Sequence, residues 1–392
     1  MSNPVLLAAC RTTGGKFGGS LSGREAPDLG ALAIREAVKR SGVKDEDIAE
    51  VIMGNGWQAG VGANPARIAV HRAGLPADIP AFTVNKRCGS GLRAIMLAAD
   101  RIRLGDARVM AAGGMESASR TPYLLPDARW GHRMGDKKAL DVLHKDGFLC
   151  PLAGMLMGTA TEILVEEYDI SRKEQEEFAF SSHRKALEAI EKGLFAEEVL
   201  PVEVKKKKET ATFDTEEIPR ADTTLEKLAK LPAIFKEGGT ITAGTSSALC
   251  DAGSAVVVAD SEWAGANGHK PIAEIIGYAS GALQADRFGL GPAVATPKAL
   301  EMAGVALEDI DLIELNEAFA AQAIAVHRVM PFDWDKCNIH GGAIALGHPI
   351  GATGSKILTT LIYSLRQTDG ELGLATACIG GGQGVAMVVK RL

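Results

Sequence analysis

The passage GVKDEDIAEVIMGN, beginning at Gly42, returns 262 residues further on as GVALEDIDLIELNE from Gly304, with Gly, Val, Glu, Asp and Ile in register. Each copy follows a helix-like segment, ALAIREAVKRS in one and TPKALEMA in the other, and each runs into an apolar strand. A second echo pairs GSGLRAIMLAADRIRLGDARVMAAGG with ATGSKILTTLIYSLRQTDGELGLATACIGG. Both read as a glycine-rich turn, a helix, a polar turn and a strand ending in glycines. A repeat of so long a period is a duplicated domain, not a solenoid unit. The length of 392 residues agrees, since single cores stop growing at roughly 250–300 residues.

Periodicity assigns the elements. Leu92, Ile95, Met96 and Ala99 fall at helical spacing, as do Leu358, Leu361, Ile362 and Leu365, which gives each helix one buried face. Short apolar strands (VIMG, RVMAAG, SAVVVAD, DLIEL, GVAMVV) alternate with them, so the fold class is α/β, two similar halves with sheets covered on both sides. From Ser119 to Leu249 the texture changes to charged helix formers such as SRKEQEEFAFSSHRKALEAIEKG. The expected domains are 1–118 with 250–270 for the first half, 119–249 for an inserted lid or substrate-binding loop domain, and 271–392 for the second half.

Charge and cysteine usage exclude several function classes. A net charge of −6 leaves no basic footprint for nucleic acid. The run at Lys205–Lys208 is expected to be a solvated hairpin or loop. No apolar run approaches the ~18 residues of a membrane helix, and MSNPVLLAACRTTGG lacks signal-peptide regions, so a cytoplasmic protein is expected. Six cysteines occur without any C-x-x-C, which in a reducing compartment predicts free thiols and no metal site.

Two of those thiols have special surroundings. Cys88, in TVNKRCGSGLRAIM, stands where a strand gives way to a helix, beside Arg87. A helix N-terminus and a cation both favour a thiolate, so Cys88 is a candidate nucleophile whose pKa is expected to be lowered. Cys378, in ATACIGGGQG, precedes three glycines whose N–H groups suit an anion. His348, in GGAIALGHPIGATGS, is the candidate base, its imidazole exposed by a Pro349 turn and flanking glycines. Asn316, in LNEAFAAQ, is placed at a helix start to hold a water or a carbonyl.

Four segments, NKRCGSG, NEAFAAQ, GGAIALGHPIGATGS and CIGGGQG, stand in the order of the thiolase motifs, and with GGMESASR and TAGTSSALCDAG the whole chain resembles a thiolase. That family makes or cleaves 3-ketoacyl-CoA thioesters. The resemblance implies a duplicated thiolase-type fold and an acyl-thioester on Cys88, with His348 generating the thiolate. It implies that Cys378 exchanges a proton with the CoA thiol or with the acetyl-CoA α-carbon. One oxyanion site would use His348 and a water on Asn316, the other the N–H groups of Cys88 and Gly380. Contacts to CoA are implied for Ser247, Arg220, Met157 and Phe319. CoA and acyl-CoA would be substrates, with no permanently bound cofactor. A homo-oligomer, tetramer or dimer, is implied, with YLLPDARWGHRMGDKKALDVLH as candidate assembly loop.

Some positions depart from the family. Leu156 replaces a histidine common in acetoacetyl-CoA specialists, and GTSSAL resembles broader-chain members, whereas Phe288 replaces a flexible residue and would narrow the pocket. His340 and Ala377 also depart from the usual residues. The competing readings are a non-catalytic acyl-CoA binder, a carrier-protein condensing enzyme, and a dinucleotide site. The reactive set counts against the first, Cys378 against the second, and the lack of a G-x-G-x-x-G after a strand against the third.

Overall fold

The computed structural model describes residues 3–206 and 209–392; Lys207 and Lys208 of the lysine run lie outside them. The first half contributes β1 (Pro4–Thr12), α1 (Ala26–Ser41), β2 (Glu50–Gly54), α2 (Pro65–Arg72), β3 (Ala81–Val84), α3 (Ser90–Arg103) and β4 (Val109–Ser117). An excursion carrying α4 (Met157–Glu167) and α5 (Arg172–Glu191) follows, and the chain returns as β5 (Cys250–Asp260). The second half is β6 (Ala273–Ala282), α6 (Gly291–Ala303), β7 (Leu312–Leu315), α7 (Ala320–Val329), α8 (Ala343–Leu346), α9 (Thr353–Thr368), β8 (Leu372–Ile379) and β9 (Gln383–Arg391).

The strand order β7-β8-β9-β6-β1-β5-β4-β2-β3 carries the duplication in space. Each half starts in the middle, lays its last strand beside its first, and winds outward; β6-β9-β8-β7 repeats β1-β5-β4-β2. Cys337, bridged in parallel to Ile313, stands where β3 stands in the first half. Val5 and Leu6 of β1 pair with Glu274 and Ala273 of β6, so the two sheets join edge to edge in one eleven-stranded sheet.

Helix α3 keeps one broad buried face, with Arg93, Leu97, Asp100 and Arg101 half-buried along the other, but α9 does not have a single buried face. Every residue of α9 from Thr353 to Leu365 is buried, and α3 buries Leu92, Ala94, Ile95, Met96, Ala98, Ala99 and Ile102. The reason is that they form a shared middle layer. Their cluster includes Leu6, Ile52 and Val256 from the first sheet and Ile275, Ala375 and Val389 from the second. Full burial of each large apolar side chain there contributes about 1.5–3 kcal/mol.

Two equivalent glycines let the helices cross at their N-termini. A Cβ on Gly354 would lie 2.4 Å from the Leu92 nitrogen, and one on Gly91 would lie 2.9 Å from that of Ser355. The crossing brings the turn before α3 and the loop before α9 face to face. The excursion, inserted between β4 and β5, packs on both halves: Leu200, Val202, Val204 and Phe213 join the core of the first, and its last residues bridge Ser246 to Phe319 and Leu249 to His348 of the second. No helix among the described residues is long and apolar enough to cross a membrane.

Candidate active site

Between β3 and α3 the chain makes a short turn, Arg87–Gly89, with Arg87 in the left-handed region at φ 49°. The Ser90 hydroxyl stabilises this turn, accepting from Lys86 N at 2.8 Å and donating to Arg87 O at 2.7 Å. Cys88 sits half-buried on it. Across the helix crossing, His348 Nε2 lies 3.2 Å from Cys88 Sγ, and its Nδ1 lies 2.6 Å from Thr353 Oγ1.

The loop carrying His348 is held along its length. Ala248 O accepts from His348 N at 2.9 Å. The buried Lys356 ammonium donates to the carbonyls of Leu346 and Gly347. Beyond the histidine, Gly351 N donates to Glu116 Oε2 at 2.8 Å, and the same carboxylate accepts from Gly56 N, Trp57 N and Asn55 Nδ2. Opposite charges thus grip opposite ends of one loop. Thr353, Lys356 and Glu116 escaped the sequence reading; the signal available was a glutamate near the end of the apolar strand VMAAGGMES.

The electrostatics correct two expectations. The His348 imidazole is buried, not exposed, and burial, with help from Lys356 and Arg87, pushes its pKa down to about 3. The Cys88 thiol is raised, because burial outweighs the opposing pull of Arg87 and of the Gly380 and Cys88 N–H groups. The pair is therefore a neutral thiol hydrogen-bonded to a neutral imidazole. Thr353 accepting from Nδ1–H leaves Nε2 as the acceptor that such a thiol needs.

Cys378, at the end of β8, is fully buried in a cluster with Met157, Phe288 and Phe319. Burial, and then Cys88, raise its thiol well above the ordinary value, while Asn316 opposes them. Asn316 lies on the β7–α7 loop, before the helix and not at its start; its N donates to Thr376 O at 2.9 Å. Both polar atoms of its amide are buried without a nitrogen or oxygen partner. Gly380 opens the turn that joins β8 to β9, and Gly381 and Gly382 complete it at φ 91° and 79°.

Four further residues were expected at a CoA site, and the structure divides them. Arg220 lines a cavity of about 370 Å³ with Asp222, Lys227, Ala243 and Ser246. Ser247 is anchored between this cavity and the second half, its N donating to Ala318 O at 3.0 Å. Met157 and Phe319 lie instead at the inner end, around Cys378. His340 is turned away, its Nε2 2.8 Å from Gln367 Oε1 and its ring edge-on to Phe195. Ala377 faces the middle layer, where α3 and α9 leave little room. A second cavity of about 360 Å³, beside Phe178, Lys185 and Trp334, holds neither Cys88 nor Cys378.

Residues 5–262 match the family description "Thiolase, N-terminal domain", and residues 269–391 match "Thiolase, C-terminal domain". The chain is 49% identical over 393 residues to a protein of Escherichia coli named acetyl-CoA acetyltransferase, covering 100% of both. It is 45% identical to a probable acetyl-CoA acyltransferase of Staphylococcus epidermidis, covering 100% of this chain and 99% of that one. The crystal structure of the Bacillus anthracis acetyl-CoA acetyltransferase superposes with a TM-score of 0.98 at 41% identity, covering 100% of this chain and 99% of that one.

Proposed function

The chain belongs to the thiolase family, and from that premise we propose how its residues perform a CoA-dependent acyl transfer. It is an acyltransferase of the thiolase type, joining two acetyl-CoA molecules or cleaving a 3-ketoacyl-CoA with CoA, as its full-length relatives named acetyl-CoA acetyltransferase support. The observation that carries the residue roles is the 3.2 Å approach of His348 Nε2 to Cys88 Sγ, across 260 residues of sequence.

For condensation, Cys88 Sγ attacks the thioester carbonyl of the first acetyl-CoA as its proton passes to His348 Nε2. The carbonyl becomes an oxyanion, then collapses to acetyl-Cys88, and the CoA thiolate leaves as a thiol by taking the proton of Cys378, while His348 keeps the proton from Cys88. Cys378, as thiolate, next removes a proton from the α-carbon of a second acetyl-CoA. The resulting enolate attacks acetyl-Cys88, and the Cys88 thiolate departs from acetoacetyl-CoA and takes its proton back from His348. Thiolysis is the reverse. One oxyanion meets the N–H groups of Cys88 and Gly380, and the other meets His348 with a water on the Asn316 amide. Splitting transfer between two thiols into two thioester exchanges is what the covalent intermediate achieves. Metal ligation enters no step.

The Arg220 cavity is assigned to the nucleotide end of CoA, with Ser247 on its path toward Cys88 and with Met157 and Phe319 around the acyl end. The chain is further proposed to act in the cytoplasm, in fatty acid metabolism, as a homo-oligomer, dimer or tetramer. Supporting assembly, the segment from Tyr123 exposes Trp130 at 87% and Met134 at 91%.

The test is thiolysis of acetoacetyl-CoA by the purified protein, with mass spectrometry of the Cys88 peptide after acetyl-CoA alone. Turnover with an acetylated Cys88 is expected, and both are lost in Cys88→Ala. Turnover that survives Cys88→Ala sinks the assignment. His348→Asn is expected to lower kcat roughly 10²–10⁴-fold, the usual contribution of a positioned base.

A further inference from the structure

We propose that Arg87 recognises an anion carried by the acyl chain, so that the enzyme favours short 3-oxoacyl-CoA substrates ending in a carboxylate. This deepens the thiolase reading and rests on it. Arg87 is placed by a constrained backbone. At φ 49° it is one of four non-glycine residues in the left-handed region among those described, and it directly precedes the nucleophile. A conformation of this kind costs of order 1–3 kcal/mol and persists where the surroundings enforce it.

The guanidinium lies flat against the glycine turn. A Cβ added at Gly380 would come within 2.9 Å of Arg87 Nε and 3.1 Å of its Cζ. The Gly380 N–H in turn reaches the Cys88 sulfur. Arg87 Nη2, 3.2 Å from the same Cβ position, donates to Gly147 O. The next residue, Phe148, packs around Cys88 with Leu249 and Ile350. The charge therefore borders the sulfur on the side walled by apolar groups.

That charge has no counter-ion. Arg87 takes part in none of the ion pairs among the described residues, and its Nε is buried without an acceptor. The guanidinium is half-buried, so its attraction for an anion is only partly screened by water. The planar fork of N–H groups suits a carboxylate held by two parallel hydrogen bonds. The phosphates of CoA are already assigned to the Arg220 cavity, which Arg87 does not line. An anion that meets Arg87 while its thioester carbonyl is at Cys88 must sit on the acyl group.

The experiment compares thiolysis of 3-oxoadipyl-CoA and 3-oxohexanoyl-CoA, acyl groups of equal length that differ by the terminal carboxylate. The wild type is expected to prefer 3-oxoadipyl-CoA in kcat/KM by about tenfold or more. Arg87→Met should collapse that ratio, mainly through KM for the carboxylated substrate, and Arg87→Lys should restore part of it. A wild-type ratio near one overturns the proposal, and so does an equal loss for both substrates in Arg87→Met, which would make Arg87 a general aid to the Cys88 thiolate. If the methionine variant does not fold, the wild-type ratio and the lysine variant still decide. Cleavage of neither substrate, nor of acetoacetyl-CoA, by the wild type would instead overturn the thiolase reading.

Discussion

Glu116 never touches the reacting atoms in this arrangement, yet it fixes the loop from which His348 works. Burial raises its carboxyl from 4.5 to about 7, although backbone N–H groups of Gly351, Gly56 and Trp57 oppose the shift. The folded protein thus retains a proton that the unfolded chain releases near 4.5. Its contribution to stability is fully present below that value and lost as pH rises through about 7. Activity should run the other way, because the carboxylate accepts from every one of these donors and the protonated group does not. We expect kcat/KM for thiolysis to fall as pH drops through about 7, and Glu116→Gln to be low and flat there. A retained acid limb in that variant would assign it elsewhere; His348, down at about 3, is already neutral throughout. Thr353→Val leaves Nδ1–H unpaired, which costs about 1–3 kcal/mol. A fall in kcat of roughly five- to a hundred-fold, with KM little changed, would be read by steady-state kinetics.

At the level of elements, everything at the site depends on α3 and α9 approaching where neither has a side chain. Gly354→Val places methyl groups against the Leu92 backbone. Overpacking of this kind costs about 1–3 kcal/mol. Thermal unfolding should register that loss, and activity should fall further than it explains, because Cys88 and His348 ride on the two turns that are pushed apart. The motif-bearing glycines made the turns legible in sequence, and so did the helical spacing of Leu92 and Leu358. The all-round burial of α9 was not legible there. Lys356 on one side of the helix and Arg366 near its end look like a solvated face, but Lys356 is satisfied by two carbonyls inside the protein. A lysine whose partners are backbone oxygens from another segment leaves no periodic trace. His340 hid for a related reason, since its partner Gln367 lies far along the chain.

Over the whole molecule the halves share one middle layer and one sheet, so neither has a complete core. Chemical denaturation should show a single transition, coincident by near- and far-ultraviolet circular dichroism, and the segments 5–262 and 269–391 expressed separately should expose the α3 and α9 faces and aggregate. Two separated transitions would show that the halves are independent. The repeat in the sequence foretold the two halves; the edge-to-edge joining of their sheets was not legible, because two residue pairs at Val5 and Leu6 carry no pattern of their own. Nor was the docking of the end of the excursion on the second half, where backbone groups such as Ser247 N and Ala248 O make the hydrogen bonds. One junction distinguishes the copies. Between β8 and β9 it is a glycine turn at 380–382, while between β4 and β5 it holds the entire excursion. The two copies therefore divide the labour: the tight hairpin carries the Gly380 backbone proposed to serve the chemistry, and the open junction carries Arg220 and Ser247, proposed to hold CoA. Diversification and engineering of this scaffold have one open door, and it is on the first half.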